Sequence, residues 1–220
     1  NLERYLSRFA DELHADGAVA CDRGVHESGR PQMYLGCKGM VRAEISCHRA
    51  KRDVHSGQAP LIPSAAWDLV RLLNSMMDEN HHITIPGYLD AVLPPTEEEL
   101  ALIGTVPMDL GDYKAEYAVD RLVCGDKDGE ELVKELLYRP TCNISGIKSG
   151  WTGERGKTIV PCDAWVRLDL RLIKDMTAED AAKRLKEFVK ASPYGPFEVT
   201  AVPSIPPYKV PPNDELVQLG

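Results

Sequence analysis

The sequence predicts an α+β domain of the ferredoxin-like type. An antiparallel sheet of four strands carries two helices on one face, in the order β-α-β-β-α-β, with a helical insert at about residues 80–140. Three observations predict it. Residues 41–48 alternate, with Val41, Ala43, Ile45 and Cys47 on one side and Arg42, Glu44, Ser46 and His48 on the other. Residues 164–172 alternate in the same way, which is the period of a half-buried strand. An apolar pattern of helical spacing follows each of these runs, and two more extended runs (141–147 and 197–202) complete the order.

Along the chain, Leu2, Tyr5, Leu6, Phe9 and Leu13 predict a helix over 2–14, closed by Asp16-Gly17. Ala18–Cys21 reads as a short buried strand leading to Asp22. Gln32–Gly36 is extended, and Gly36 and Gly39 bracket a bend into the strand at 41–48. That strand runs out at Arg52-Asp53-Val54-His55-Ser56-Gly57, where the chain must turn. After Pro63-Ser64, the residues Ala66, Leu69, Val70, Leu73, Met76 and Met77 mark the first sheet-covering helix.

The insert opens with a loop at Ile83–Leu89. Thr96 and Glu99 then form a capping box that starts a helix to about Leu102. The acidic run Glu97–Glu99 is read as a favourable helix N-terminus and not as a metal site. His81 and His82 adjoin, so they cannot face one ligand together on a helix and are expected in solvent. Residues 113–122 are mixed, and 130–138 reads as a helix.

The strand at 141–147 leads to a stretch ending in Gly156-Lys157-Thr158, which invites a phosphate-loop reading. The position five before Gly156 is Trp151 rather than glycine, and Ile159-Val160-Pro161 leads into a strand rather than a helix, so that reading fails. Thr177 starts the second covering helix, with Ala181, Ala182, Leu185, Phe188 and Val189 inward. The last strand, 197–202, gives way to a stiff exit with Pro203, Pro206, Pro207, Pro211 and Pro212.

The 220 residues, 43% hydrophobic and 27% charged, suit one domain, or one domain with pieces of another. A net charge of −8 argues against nucleic acid as the main partner. No apolar run approaches the ~18–20 residues that cross a bilayer. The opening residues do not read as a signal peptide. Six scattered cysteines without a Cys-x-x-Cys pair predict reduced thiols and a cytoplasmic setting. The chain begins at Asn1 on a helical pattern and stops at Gly220 barely two turns into another, so missing sequence is expected on both sides.

His55 is the principal candidate for chemistry. At a strand-to-helix turn an imidazole either caps the turn or presents an N–H to a developing oxyanion. Asp22, just past an apolar strand, is either a turn former or a ligand at the place where open α/β sheets hold metals and substrates. Arg171, on the polar side at the end of its strand, either pairs with Asp169 or with solvent, or clamps a carboxylate.

These features, with the Gly36–Gly39 bend, Ile85-Pro86-Gly87-Tyr88 ahead of Pro94-Pro95-Thr96-Glu97-Glu98-Glu99, Lys157-Thr158-Ile159-Val160-Pro161 and Arg171-Leu172, are similar to one family. They resemble the lid (dimerisation) domain of the co-catalytic zinc metallopeptidases. That family includes carnosinase-type dipeptidases, acetylornithine deacetylase, succinyl-diaminopimelate desuccinylase, aminoacylase and carboxypeptidase G. The resemblance runs from about Val19 to the end, and the insert leans to the carnosinase-type branch.

The resemblance implies that 1–38 is the tail of a catalytic domain, 39–205 the lid, and 206–220 a return linker and the start of a catalytic-domain helix. Asp22 matches a metal-binding carboxylate. His55 matches the lid histidine that reaches across a homodimer to the partner's oxyanion. Thr158 and Arg171 match substrate contacts, with Asn143 near them. The parent protein would hold two divalent ions, zinc first, with manganese or cobalt as alternatives. The His-x-Asp, Glu-Glu and final His of the family would lie outside Asn1–Gly220. The fragment would therefore bind no metal and be inactive alone. The expected reaction is hydrolysis of an amide in a small peptide by metal-activated water. The alternatives are deacylation of N-acyl amino acids of the acetylornithine or succinyl-diaminopimelate type, and a non-catalytic ferredoxin-like pairing module.

Overall fold

The computed structural model describes residues 2–19, 29, 31–127 and 129–219. Its elements in chain order are α1 (Leu2–Arg8), β1 (Gly36–Cys37), β2 (Gly39–His48), β3 (Val54–His55), α2 (Ala65–Asn74), α3 (Glu97–Ile103), α4 (Leu110–Tyr117), α5 (Gly129–Tyr138), β4 (Thr141–Ser149), β5 (Ile159–Val160), β6 (Asp163–Leu172), α6 (Ala178–Ala191), β7 (Glu198–Ile205), β8 (Tyr208–Lys209) and α7 (Glu215–Leu219), with a 3-10 turn at Ser56–Gln58. They fall into two compact units, residues 1–35 with 211–220, and residues 36–210.

In the first unit α1 is shorter than the helix expected over 2–14, the residues after Arg8 forming turns. Ala18 and Val19 are exposed and form no strand, which corrects the expected strand over its described half. A run that short has no neighbouring strand to satisfy its backbone. Ala20, Cys21 and Asp22 lie outside the described residues.

The second unit is built on a sheet in the order β4-β6-β2-β7, with every neighbouring pair antiparallel. This is the expected split β-α-β arrangement. One face is apolar, carrying Val41, Ala43 and Ile45 from β2 and Val166, Leu168 and Leu170 from β6, all buried. Leu69 and Leu72 of α2 and Ala181, Leu185 and Val189 of α6 complete the same core. Ser64 caps α2 by accepting from Trp67 N, and Thr177 caps α6 by accepting from Asp180 N. Pro203, which lacks an N–H, is tolerated because β7 is an edge strand.

On the polar face the register sets side chains in rows across the sheet. Thr141, Arg171 and Met40 stand side by side. The next row holds Asn143, Asp169, Arg42 and Val202, and beyond it Arg167 stands between Gly146 and Glu44.

The insert is part of the same body. Ile83, Ile85 and Tyr88 enter the main core. The capping box forms in both directions, with Thr96 N donating to Glu99 Oε2 at 2.8 Å and Glu99 N to Thr96 Oγ1 at 3.3 Å. Glu99 is also buried, 5% exposed, and Lys174 Nζ donates to Oε1 at 2.8 Å and Oε2 at 3.1 Å. Lys209 forms a second ion pair with Glu99 Oε1 and donates to the Tyr138 hydroxyl at 3.1 Å. The acid at the start of α3 is therefore an anchor between the insert, the end of β6 and β8, a role the local sequence does not reveal.

At the start of β2, β1 pairs with β8, Gly36 opposite Lys209 and Cys37 opposite Tyr208. A Cβ on Gly36 would lie 2.3 Å from the Tyr208 carbonyl oxygen, so only glycine permits the approach. Lys38 is half-buried and donates to the Arg139 carbonyl at 2.6 Å. Burial, then the like charge of Arg171, pull its pKa down to about 8. A lysine whose folded pKa lies below its unfolded value leaves the unfolded chain holding more protons between the two. Stability therefore gains a rising contribution from about pH 8 to the ordinary lysine range. Lys38→Met should remove that part of the slope when melting temperatures are compared at pH 7.5 and 9.5. Identical slopes in both proteins would refute the assignment. The comparison cancels the thiols of Cys47, Cys142 and Cys162, which burial pushes up to about 11 and which act in the opposite sense above pH 9.

The cysteines at 37, 47, 124, 142 and 162 are free. No helix among the described residues is long and apolar enough to cross a membrane.

Candidate functional site

The turn after β2 is fixed from several sides. Arg49 N donates to Cys162 O at 2.8 Å, its Nη1 to Gly195 O at 2.9 Å, and its Nε lies 2.7 Å from the buried Asp68 carboxylate. Asp53 Oδ1 accepts from Cys162 N at 3.0 Å. β3 then pairs with β5, placing Val54 opposite Val160 and His55 opposite Ile159. Ser56 N donates to Thr158 O at 2.9 Å. The sequence candidates His55 and Thr158 are thus neighbours in one small ladder, and both are exposed.

His55 caps its turn. Its Nδ1 accepts from Gly57 N at 3.1 Å and caps the 3-10 turn. A ring nitrogen that accepts a hydrogen bond carries no proton, so the neutral imidazole bears its proton on Nε2. The cap therefore selects the tautomer with a free Nε2–H donor and fixes the ring's direction. A Cβ added to Gly57 would sit 3.1 Å from Nδ1. Gly57→Ala should push the imidazole aside by a few tenths of an ångström and reduce turnover severalfold, with an unchanged melting temperature. Unchanged turnover would show that the ring's placement does not matter.

The loop before Thr158 is folded on Trp151. Trp151 Nε1 donates to Arg155 O at 2.6 Å, and Lys157 Nζ stands 3.6 Å over the indole. Gly156-Lys157-Thr158 opens no helix, in keeping with the rejected phosphate loop. In the sequence Trp151 stands out only for breaking that motif. A Trp six residues before a Lys was the available signal for the stacking.

Arg171 and Asn143 sit elsewhere. Arg171 lies at the far end of β6, opposite Thr141 and Met40. Asn143 is one row away, its Nδ2 donating to Asp169 Oδ1 at 3.0 Å. This bond takes up the carboxylate that was Arg171's alternative partner. β6 starts beside the His55 ladder, and Arg171 is eight residues along it, so the two ends are about 26 Å apart at ~3.3 Å per residue. The structure brings His55 and Thr158 together and Arg171 and Asn143 together, but keeps the two pairs apart.

Asp22 lies outside the described residues. Among the described residues no group of three or more His, Cys, Asp or Glu side chains is placed to hold a metal ion.

Among the apolar side chains that stand in solvent are two groups on the sheet and its covering helix. Trp67 and Val70 project from α2 at 63% and 46% exposure. Ile144 and Ile147 project from the edge strand β4 at 48% and 55%.

Comparison with known proteins gives three findings of use. Residues 35–194 match the family model described as the peptidase dimerisation domain. Over 193 residues the chain is 28% identical to the beta-Ala-His dipeptidase of Rattus norvegicus, covering 86% of this chain and 39% of that protein. Among solved structures it superposes on an M20 family metallo-carboxypeptidase from Sulfolobus solfataricus with a TM-score of 0.91 and 31% identity, over 99% of this chain and 56% of that one. The chain thus spans about two fifths of that curated relative.

Proposed function

Because this chain belongs to the peptidase dimerisation domain family, we propose that it is the lid of a metal-dependent peptidase. The lid pairs two copies of the enzyme and supplies contacts to substrate and oxyanion. The observation that carries the reading is the capped His55, an exposed imidazole whose Nε2–H is held ready as a donor. Such a donor suits the negative charge that develops on a carbonyl oxygen when water attacks an amide. Asp22 remains the proposed metal-binding carboxylate.

Support for the reaction class comes from the names of the relatives, a dipeptidase and a metallo-carboxypeptidase. A dipeptidase splits a dipeptide and a carboxypeptidase removes a C-terminal residue, so each acts beside a residue that carries a free α-carboxylate. Arg171 is suited to hold the carboxylate of that residue, with Asn143 and Thr141 beside it. The described residues do not form a site for the divalent ions, zinc by preference, that such an enzyme uses. Those ions would be held by residues outside the described ones, while His55 supplies the donor and Arg171 the clamp.

Thr158 and His55 lie beyond the start of β6 and Arg171 near its end, about 26 Å along the strand, too far for one bound dipeptide to touch both in a single copy. Pairing of two copies resolves this, with His55 and Thr158 of one copy completing the site that holds Arg171 of the other. The apolar face of α2 and the free edge of β4 suit a two-fold contact, since an edge strand beside an unpartnered helix face is self-complementary.

The test is hydrolysis of a mixed dipeptide panel by the full-length protein, with and without chelator, and with zinc or manganese restored. Chelator-sensitive cleavage is expected. A dimeric, metal-loaded protein that leaves every dipeptide intact would point to deacylation of N-acyl amino acids. A protein that neither cleaves nor binds metal would be a pairing module.

A further inference from the structure

The Arg171 end of the polar face holds more positive charge than one substrate carboxylate needs. Arg42 faces Asp169 across β2 and β6, and Arg171 is the next residue on the same face. Such diagonal neighbours lie about 7–8 Å apart, within reach of two long side chains. Lys38 is close enough to Arg171 for the two charges to repel.

In the next row of this face the charges are paired. Arg167 donates to Glu44 Oε1 through Nε at 3.0 Å and Nη2 at 2.7 Å, and Asp169 accepts from Asn143. Arg42 and Arg171 are exposed, and among the described residues neither has a salt-bridge partner. Lys38, Arg42 and Arg171 against Asp169 leave two positive charges in excess, in a chain whose net charge is −8. Arg42 and Arg171 stand diagonally rather than directly opposite, so their like charges repel across that longer gap. An arrangement of this kind is compensated when a ligand brings matching negative charge.

We propose that Arg42 and Lys38 extend the Arg171 contact into a two-carboxylate subsite, which selects peptides whose C-terminal residue has an acidic side chain. The inference rests on the peptidase reading. Arg171 takes the α-carboxylate. Arg42, one row further in, takes the side-chain carboxylate, and Lys38 adds charge from the insert side. The planar fork of Arg42 makes two parallel hydrogen bonds to a carboxylate, which a lysine there could not reproduce.

The experiment compares Ala-Glu with Ala-Gln in the metal-loaded full-length enzyme, wild type against Arg42→Gln and Arg42→Lys. The wild type should prefer Ala-Glu about tenfold or more in kcat/KM, mainly through KM, the size expected of a charged hydrogen bond. Arg42→Gln should abolish the preference and leave Ala-Gln within about twofold, and Arg42→Lys should restore only part of it. Equal kcat/KM for the two peptides, or equal losses on both in Arg42→Gln, overturns the subsite. Calorimetric binding of N-acetylglutamate and N-acetylglutamine to the same proteins separates the subsite from the reaction. Preference for N-acetylglutamate that is lost in Arg42→Gln, without hydrolysis of either peptide, keeps the subsite and overturns the peptidase. Equal affinities overturn the subsite whatever the reaction.

Discussion

Mixed dimers of one His55→Ala copy and one Arg171→Ala copy should recover about half of wild-type activity, although each variant alone keeps about a tenth or less. Loss of a single preorganised oxyanion donor lowers turnover by about 10²–10³. Loss of the carboxylate clamp lowers kcat/KM by about tenfold to a hundredfold, chiefly through KM. In the mixed dimer one site has the Arg171 of the first copy and the His55 of the second, both intact. The other site lacks both. The expectation follows from the length of β6, which separates the His55 ladder from Arg171. The measurement is kcat/KM of doubly tagged dimers purified from co-expressed variants. Activity no higher than that of the single variants would mean that each copy works alone, and the division of labour between the ends of the sheet would be wrong.

Glu99→Ala should destabilise the protein by about 3–5 kcal/mol, since removing one partner of a buried ion pair strands the other charge. Here Lys174 and Lys209 both lose their carboxylate, and the Thr96 N–H loses its acceptor. Urea unfolding of the variant should show the midpoint shift at an unchanged slope. A change below about 1 kcal/mol would mean that water reaches the two ammonium groups. Replacing the three residues together by Leu and Met should be much milder than Glu99→Ala, because a buried ionic cluster exchanged for apolar groups of similar volume is often close to neutral. If the triple variant is as damaged as the single one, the cluster is holding the insert through its geometry rather than through its charge balance.

The long strands and covering helices were legible because each repeats its period several times. Residues 41–48 and 163–172 bury every second side chain, and α6 buries Ala181, Leu185 and Val189 as their spacing requires. The capping box at Thr96 was legible because both of its partners lie within one turn. Glu99's other partners were not, since Lys174 and Lys209 come from distant parts of the chain and mark themselves by no local pattern. The two-residue strands β1, β3, β5 and β8 were equally hidden, because two residues cannot display a period. At the site, the His-Ser-Gly turn marked His55 as the candidate. Only the hydrogen bond from Gly57 shows which nitrogen is free. The distance between His55 and Arg171 was implicit in the strand length, and it took the β3–β5 pairing to show that His55 stands beyond the near end.

The short β1–β8 ladder has an evolutionary consequence. It sets the residue at which the chain enters the second unit beside the one from which it leaves, Gly36 against Lys209. A module whose two ends meet can be spliced into a host loop without stretching it, as successful domain insertions require. Residues 36–210 have the form of a transplantable cassette. A lineage could acquire, exchange or discard such a unit in one recombination event, while the host fold on either side stayed intact.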